Sequence, residues 1–128
     1  MSRTAFRLPE KRLENNMQYA LMLDLQDDEQ KIAEYEAHHR AVWPQVLAHI
    51  RANGVRQMRI YRLGTRMVML MDTDDTFSFE RMAQSAAQNE AVQRWETLMW
   101  QYQQVTPWTD AGAKWQPMRE VFCLESDI

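Results

Sequence analysis

Tyr35, His39 and Trp43 stand four residues apart in the string YEAHHRAVWPQV, residues 35–46. On a helix, that spacing puts Tyr35 and His39 on one face, a turn apart. A phenol, an imidazole and an indole grouped in this way suit proton transfer on a small polar molecule. The imidazole titrates near neutral pH, the phenol can donate or accept a hydrogen bond, and the indole offers a flat apolar wall. His39 also falls near a helix C-terminus if Pro44 ends the helical piece. The dipole there favours a cationic ring, whereas burial favours a neutral one. A core histidine satisfied by a backbone carbonyl would show the same spacing, so the two readings stand side by side. His38 projects about 100° away from His39, and the adjacent pair cannot easily chelate one ion. His38 and His49 are expected at the solvent or the rim.

A second constellation surrounds Trp95 in QRWETLMW. Val92, Trp95, Met99 and Tyr102 form a helical stripe, which is the pattern of a core. Glu96, next to Trp95, points elsewhere unless a pocket opens at that edge.

The elements that must carry these residues are readable from periodicity. MQYALMLDL (17–25) alternates as a half-buried strand, with Tyr19, Leu21, Leu23 and Leu25 on one face. The spacing of Ile32, Tyr35 and His39 predicts a helix from about Asp28 to Arg40. Pro44 then forces a break and opens a second helical piece through about Ala52, stopped by Gly54. RQMRIYRLGTRMVMLMD (56–72) reads as a hairpin around LGTR. The segment after it is helical in two pieces, with Asn89 as the N-cap of the second. VTPWTDAGAKWQP is a loop, and MREVFCLE (118–125) alternates as a closing strand. The order is β-α-β-β-α-β, an α+β, ferredoxin-like arrangement with helices on one face of an antiparallel sheet. Two helices on one face cannot cover both apolar faces of such a sheet, so a homodimer stacking two sheets is expected.

Composition bounds the partners. The chain has 128 residues, 45% of them hydrophobic, and a formal net charge of -3. That is the size of one domain with a real core. Residues 1–16 read as a polar extension for which disorder is expected, and 17–128 as a single domain. Lys and Arg are scattered, which argues against nucleic acid as a partner. No apolar run approaches the roughly 20 residues that span a bilayer, so no membrane partner is expected. The opening MSRTAFRLPEKRLENN has no apolar core of a secretory leader. Cys123 is the single cysteine and cannot form an internal disulfide, so a reducing, cytoplasmic setting is the simple reading. CxxC, HExxH, P-loop, GxGxxG and GxSxG patterns are all missing, as are zinc frameworks. Neither metal nor cofactor is expected.

Four ordered blocks, YEAHHRAVWP, IYRLG, QRWETLMW and REVFCLE, together resemble the L-rhamnose mutarotase family, which includes relatives thought to act on L-fucose. The Tyr-x-x-x-His-x-x-x-Trp-Pro string is the most specific of them, and the resemblance runs from about Tyr19 to Leu124. It implies a ferredoxin-like homodimer, a dimeric α+β barrel, that interconverts the α and β anomers of a 6-deoxy sugar without a cofactor. Carried over by position, His39 matches the general acid/base, Tyr35 a sugar-binding tyrosine, and Trp95 the first of two adjacent tryptophans lining the sugar site. Glu96 stands where the second tryptophan would be, and Met58 where the rhamnose enzymes have a sugar-contacting tyrosine. The string KWQPMREVF, with Trp115, looks more like the fucose-type relatives. The expected substrate-binding set is therefore Tyr35, Trp95, Glu96, Met58 and Trp115, with L-fucose favoured over L-rhamnose.

Two other functions fit the bare residue pattern. A small monooxygenase of the same stacked-sheet type would use His39 as a haem ligand or without haem. A non-catalytic sugar-binding module would use Trp95 and Trp115 as stacking platforms.

Overall fold

The computed structural model describes residues 17–125; the expected 1–16 extension lies outside them. The elements run β1 (Met17–Leu25), α1 (Glu29–His39), α2 (Pro44–Ala52), β2 (Val55–Leu63), β3 (Arg66–Thr73), α3 (Phe79–Ala87), α4 (Glu90–Trp100), β4 (Gln103–Gln104) and β5 (Gln116–Pro117). The sheet order is β2-β3-β1-β4, with β5 also on β1, and every pairing is antiparallel. This is the ferredoxin-like topology, with each helical connection split in two.

Helix starts follow local chemistry. Asp28, Ser78 and Asn89 are N-caps whose side chains accept from the backbone N–H three residues on, in Lys31, Arg81 and Val92. Each satisfies a donor that the first turn leaves orphaned. Trp43 is extended at φ -61°, ψ 138° before Pro44, and Pro44 takes the first position of α2, where its missing N–H costs nothing. Gly54 follows α2 at φ 92°, and a Cβ there would collide with the Asp74 carboxylate and the Thr76 hydroxyl. Only glycine fits this turn.

Alternation in β1 and β3 sends one set of side chains into the helix layer. Leu23, Leu25 and Met67 join Tyr35, Val46, Trp95, Met99 and Tyr102 in one cluster. Leu21, Met69, Met71 and Val55 form a second cluster farther along the strands. Ile50, Ile60 and Trp115 pack against both clusters. The other set makes a sheet face without helices. There Met22 lies opposite Val68 and Ala20 opposite Leu70, with Tyr61 beside Val68. These residues are half-buried, except Tyr61, which is 55% exposed. At one end of this face Arg66 holds Asp24 through two hydrogen bonds of 2.8 and 3.0 Å and lies over the Trp108 ring.

Two expectations need correction. The closing strand expected over 118–125 does not form. Gln103–Gln104 and Gln116–Pro117 share the lane beside β1 instead, and the last bond of that lane is Met118 N–H to Ala20 O at 2.7 Å. Alternation records which side chains share a face, not whether a neighbouring strand exists to pair with. His49, expected at the rim, is buried and 2.8 Å from the Ser85 hydroxyl, because α3 packs over α2. His38 is half-buried, with Nε2 3.3 Å from the Tyr102 hydroxyl.

Candidate active site

Between the helix layer and the sheet lies a cleft of about 1150 Å³, larger than the roughly 300–1,000 Å³ of a typical small-molecule site. Tyr35, His39, Met58, Trp95, Glu96 and Trp115 all line it. All six residues expected from the sequence are thus brought to one cavity, from α1, β2, α4 and the loop before β5.

The α1 wall is built first. Tyr35 is buried and His39 half-buried one turn later, their ring centroids 4.4 Å apart. His39 Nδ1 lies 2.9 Å from the Tyr35 carbonyl oxygen. A carbonyl can only accept, so Nδ1 carries the proton and Nε2 keeps its lone pair for a ligand. Burial pushes the His39 pKa below its ordinary value; the Tyr35 carbonyl opposes this and the neighbouring His38 adds to it. The ring is therefore neutral at pH 7. Burial likewise pushes the Tyr35 phenol up, with the Gln103 amide opposing, so Tyr35 keeps its proton.

Trp95 is the second wall. It is buried, edge-on to His39 at 5.6 Å and to Trp43 at 5.1 Å. It belongs to the core and lines the cleft at once. Glu96 is exposed at the rim, with a carboxylate oxygen 3.9 Å from Lys114 Nζ. Lys114 also sits over the Trp100 ring, which ties the 105–115 loop to α4. Met58 packs on the second cluster and Trp115 spans both.

Two lining residues escaped the sequence pattern. Gln103 is buried and donates to the Tyr35 hydroxyl at 3.3 Å. With its oxygen accepting from Gln103, the phenol has its own O–H to give a ligand. Gln103 looks like helix surface in WQYQQV, and only the end of α4 at Trp100 turns it inward. His49 lines the cleft as well, and no spacing signal marked it.

A neutral imidazole base and a protonated phenol on one wall, with a buried indole on the next, can move a proton between oxygens of a bound polyol. A nucleophile is not needed for such a step.

Comparison with known proteins gives the same direction. The L-rhamnose mutarotase family model matches residues 18–124. An L-fucose mutarotase of Xanthomonas campestris is 37% identical over 109 residues, covering 84% of this chain and 87% of that protein. An L-rhamnose mutarotase of Bacteroides thetaiotaomicron is 31% identical over 98 residues, covering 73% of this chain and 86% of that protein. Among solved structures, an L-rhamnose mutarotase from Formosa agariphila superposes with TM-score 0.63 at 23% identity, covering 85% of this chain and 99% of that one. Tetracenomycin F2 cyclase from Streptomyces glaucescens superposes with TM-score 0.55 at 19% identity, covering 86% and 98%. The last two speak for the fold.

Proposed function

We propose, for a chain that belongs to the L-rhamnose mutarotase family and is an isomerase of sugar anomers, that its preferred substrate is L-fucose and that His39 moves the proton. The observation that carries the reading is the state of His39: neutral, fixed as the Nδ1–H tautomer by the Tyr35 carbonyl, and set in the cleft against Trp95.

Mutarotation breaks the bond between the anomeric carbon and the ring oxygen, then remakes it on the other face of the aldehyde. The anomeric hydroxyl loses a proton and the ring oxygen gains one, so the net change is one proton carried between two oxygens on the same carbon. His39 Nε2 takes the first proton and returns it to the ring oxygen; closure reverses the steps. Such general acid–base transfer contributes about 10²–10⁴-fold. Tyr35, its oxygen occupied by the Gln103 amide, donates to a sugar hydroxyl. Trp95 and Trp115 supply apolar walls for the ring and its deoxy methyl group.

Support for L-fucose comes from Met58 and Glu96 in the cleft lining. Neither is a ring, and the Glu96 carboxylate is a strong acceptor that can hold hydroxyls set differently from those of rhamnose. A site that hydrogen-bonds one hydroxyl pattern leaves groups unpaired with another. The sheet face without helices supports a homodimer, and the single thiol a reducing, cytoplasmic setting.

NMR exchange spectroscopy on L-fucose, L-rhamnose and D-glucose at matched enzyme tests the reading. Fucose should be accelerated most, and Glu96→Gln should reduce that advantage. A tenfold greater acceleration of rhamnose would overturn the preference. Binding of sugar with no acceleration of any anomer exchange would overturn the catalytic role.

A further inference from the structure

The charges that line the cleft do not balance. Five are cationic, Arg40, Arg51, Arg56, Arg62 and Lys114, against the carboxylates of Glu36 and Glu96. Both carboxylates are already engaged. Glu36 accepts from Arg62 Nε at 2.6 Å, and Glu96 lies 3.9 Å from Lys114 Nζ. Arg40, Arg51 and Arg56 remain in excess, in a chain whose formal net charge is -3. We propose that these three guanidiniums form a binding site for an oxyanion, and that the cleft takes a 6-deoxy sugar esterified by sulfate or phosphate on a ring hydroxyl. This rests on the reading of the cleft as the place where sugar anomers exchange.

Three elements bring the cations to one rim. Glu36 and Arg40 stand one turn apart on α1 and share a face. Arg62 lies opposite Met67 on the helix side of β2, takes the Glu36 carboxylate, and so leaves Arg40 without it. Arg51 follows Leu47 by one turn of α2, and both line the cleft. Arg56 stands near the start of β2, the strand at the sheet edge. All three arginines are exposed, whereas Tyr35 and Trp95 are buried. The cations therefore mark the opening, and the proton chemistry lies deeper. Among the described residues no carboxylate pairs with the Arg40 or Arg51 guanidinium. Thr76 holds the Asp74 carboxyl below its ordinary range, burial opposes this, and the nearby Arg56 and Arg81 add to it. Arg56 is thus partly balanced, and Arg40 and Arg51 carry most of the excess.

Like charges around one opening repel each other, and an anion between them relieves that repulsion. Guanidinium forks match the oxygens of a sulfate or phosphate group bidentately. A cleft rimmed by one sign of charge also draws an oppositely charged ligand toward it. The reaction fixes where the ester can sit. The anomeric hydroxyl has to be free to lose its proton, which excludes O1. C6 of a 6-deoxy sugar bears no oxygen. The ester therefore occupies O2, O3 or O4, with the anomeric end turned toward His39 and the anion toward the rim.

NMR exchange spectroscopy on the full chain compares L-fucose with its monosulfates and monophosphates at O2, O3 and O4. At least one ester should lead L-fucose in kcat/KM by about 10-fold at about 20 mM salt, and the lead should shrink toward about 500 mM as exposed charges are screened. Arg40→Gln and Arg51→Gln should each lower the ester-to-fucose ratio about 3- to 10-fold, between the loss of an exposed ion pair and that of a charge-assisted hydrogen bond. Arg59→Gln removes a charge from the same strand on the bare face, opposite Leu70, and should leave the ratio unchanged. A lead for the sulfates assigns the site to sulfated sugars, and a lead for the phosphates to phosphorylated ones. If every ester is slower than L-fucose, or if the ratio ignores both salt and the Arg40 and Arg51 variants, the oxyanion site is overturned and the mutarotase stands. If an ester binds in a salt-sensitive way, read by tryptophan fluorescence and weakened by both variants, yet no anomer exchange is accelerated, the mutarotase is overturned and the oxyanion site stands. Neither binding nor acceleration overturns both.

Discussion

The two faces of the sheet are written by the same alternation and meet different fates. Toward the helices, Leu21, Leu23, Met67 and Met71 are at most 4% exposed, and Leu23 and Met67 cluster with Tyr35 and Trp95. Away from the helices, Ala20, Met22, Val68 and Leu70 are apolar yet only half covered. One face is completed within the chain and lines the cleft. The other has a comparable apolar pattern and only partial cover from the described residues. An alternating strand thus specifies two interfaces, and only topology decides which is internal.

Substitutions separate the faces. The largest effect should come from the catalytic side: His39→Asn should slow anomer exchange about 10²-fold or more, as loss of a general acid–base group does, with the mass in solution unchanged. An equal rate in variant and wild type, measured by exchange spectroscopy, would remove His39 from the mechanism. Next, Leu23→Ala on the helix side should lower unfolding stability by about 2–5 kcal/mol, seen as a shifted denaturant midpoint. Val68→Ala on the bare side should cost far less in a subunit held dilute enough to be monomeric. Gln103→Leu should reduce turnover about 2- to 10-fold, the range of one hydrogen bond worth about 0.5–1.5 kcal/mol, by releasing the Tyr35 hydroxyl. A small effect follows from pH above neutrality. His39 must be neutral to act, and burial holds its pKa below the ordinary 6.5. The pH profile of kcat/KM should therefore level off on the alkaline side and fall only as pH drops through that lowered value. An acid limb centred above 6.5 would contradict the buried, neutral ring.

Most of the helix layer was legible because its signals are local. Pro44 splits α1 from α2, Asp28 and Asn89 cap their helices, and the Tyr35–His39 interval fixes one face. The six expected cleft residues were found through spacing joined to family resemblance; spacing alone left His39 divided between core and site. What failed was non-local. MREVFCLE alternates as well as β1 does, yet a strand exists only where a neighbour accepts its hydrogen bonds, and no local pattern names that neighbour. His49 looked like a rim residue until α3 closed over it and brought Ser85 to its ring. Gln103 became a cleft residue because α4 stops at Trp100, and the string around it carries no cap or glycine to announce the stop.

The central place of β1 has a kinetic meaning. Its partners on β3 lie far along the chain, Met17 opposite Thr73 at a separation of 56 residues, whereas the β2–β3 hairpin closes between near neighbours such as Leu63 and Arg66. Hairpins form in about 1–10 μs, and pairings that close long loops come later. The hairpin therefore assembles first and β1 inserts beside β3 afterwards. Only then does β5 find its lane beside β1. The lane beside β1 is therefore the last part of the sheet to be filled, and its formation limits how fast the fold is completed.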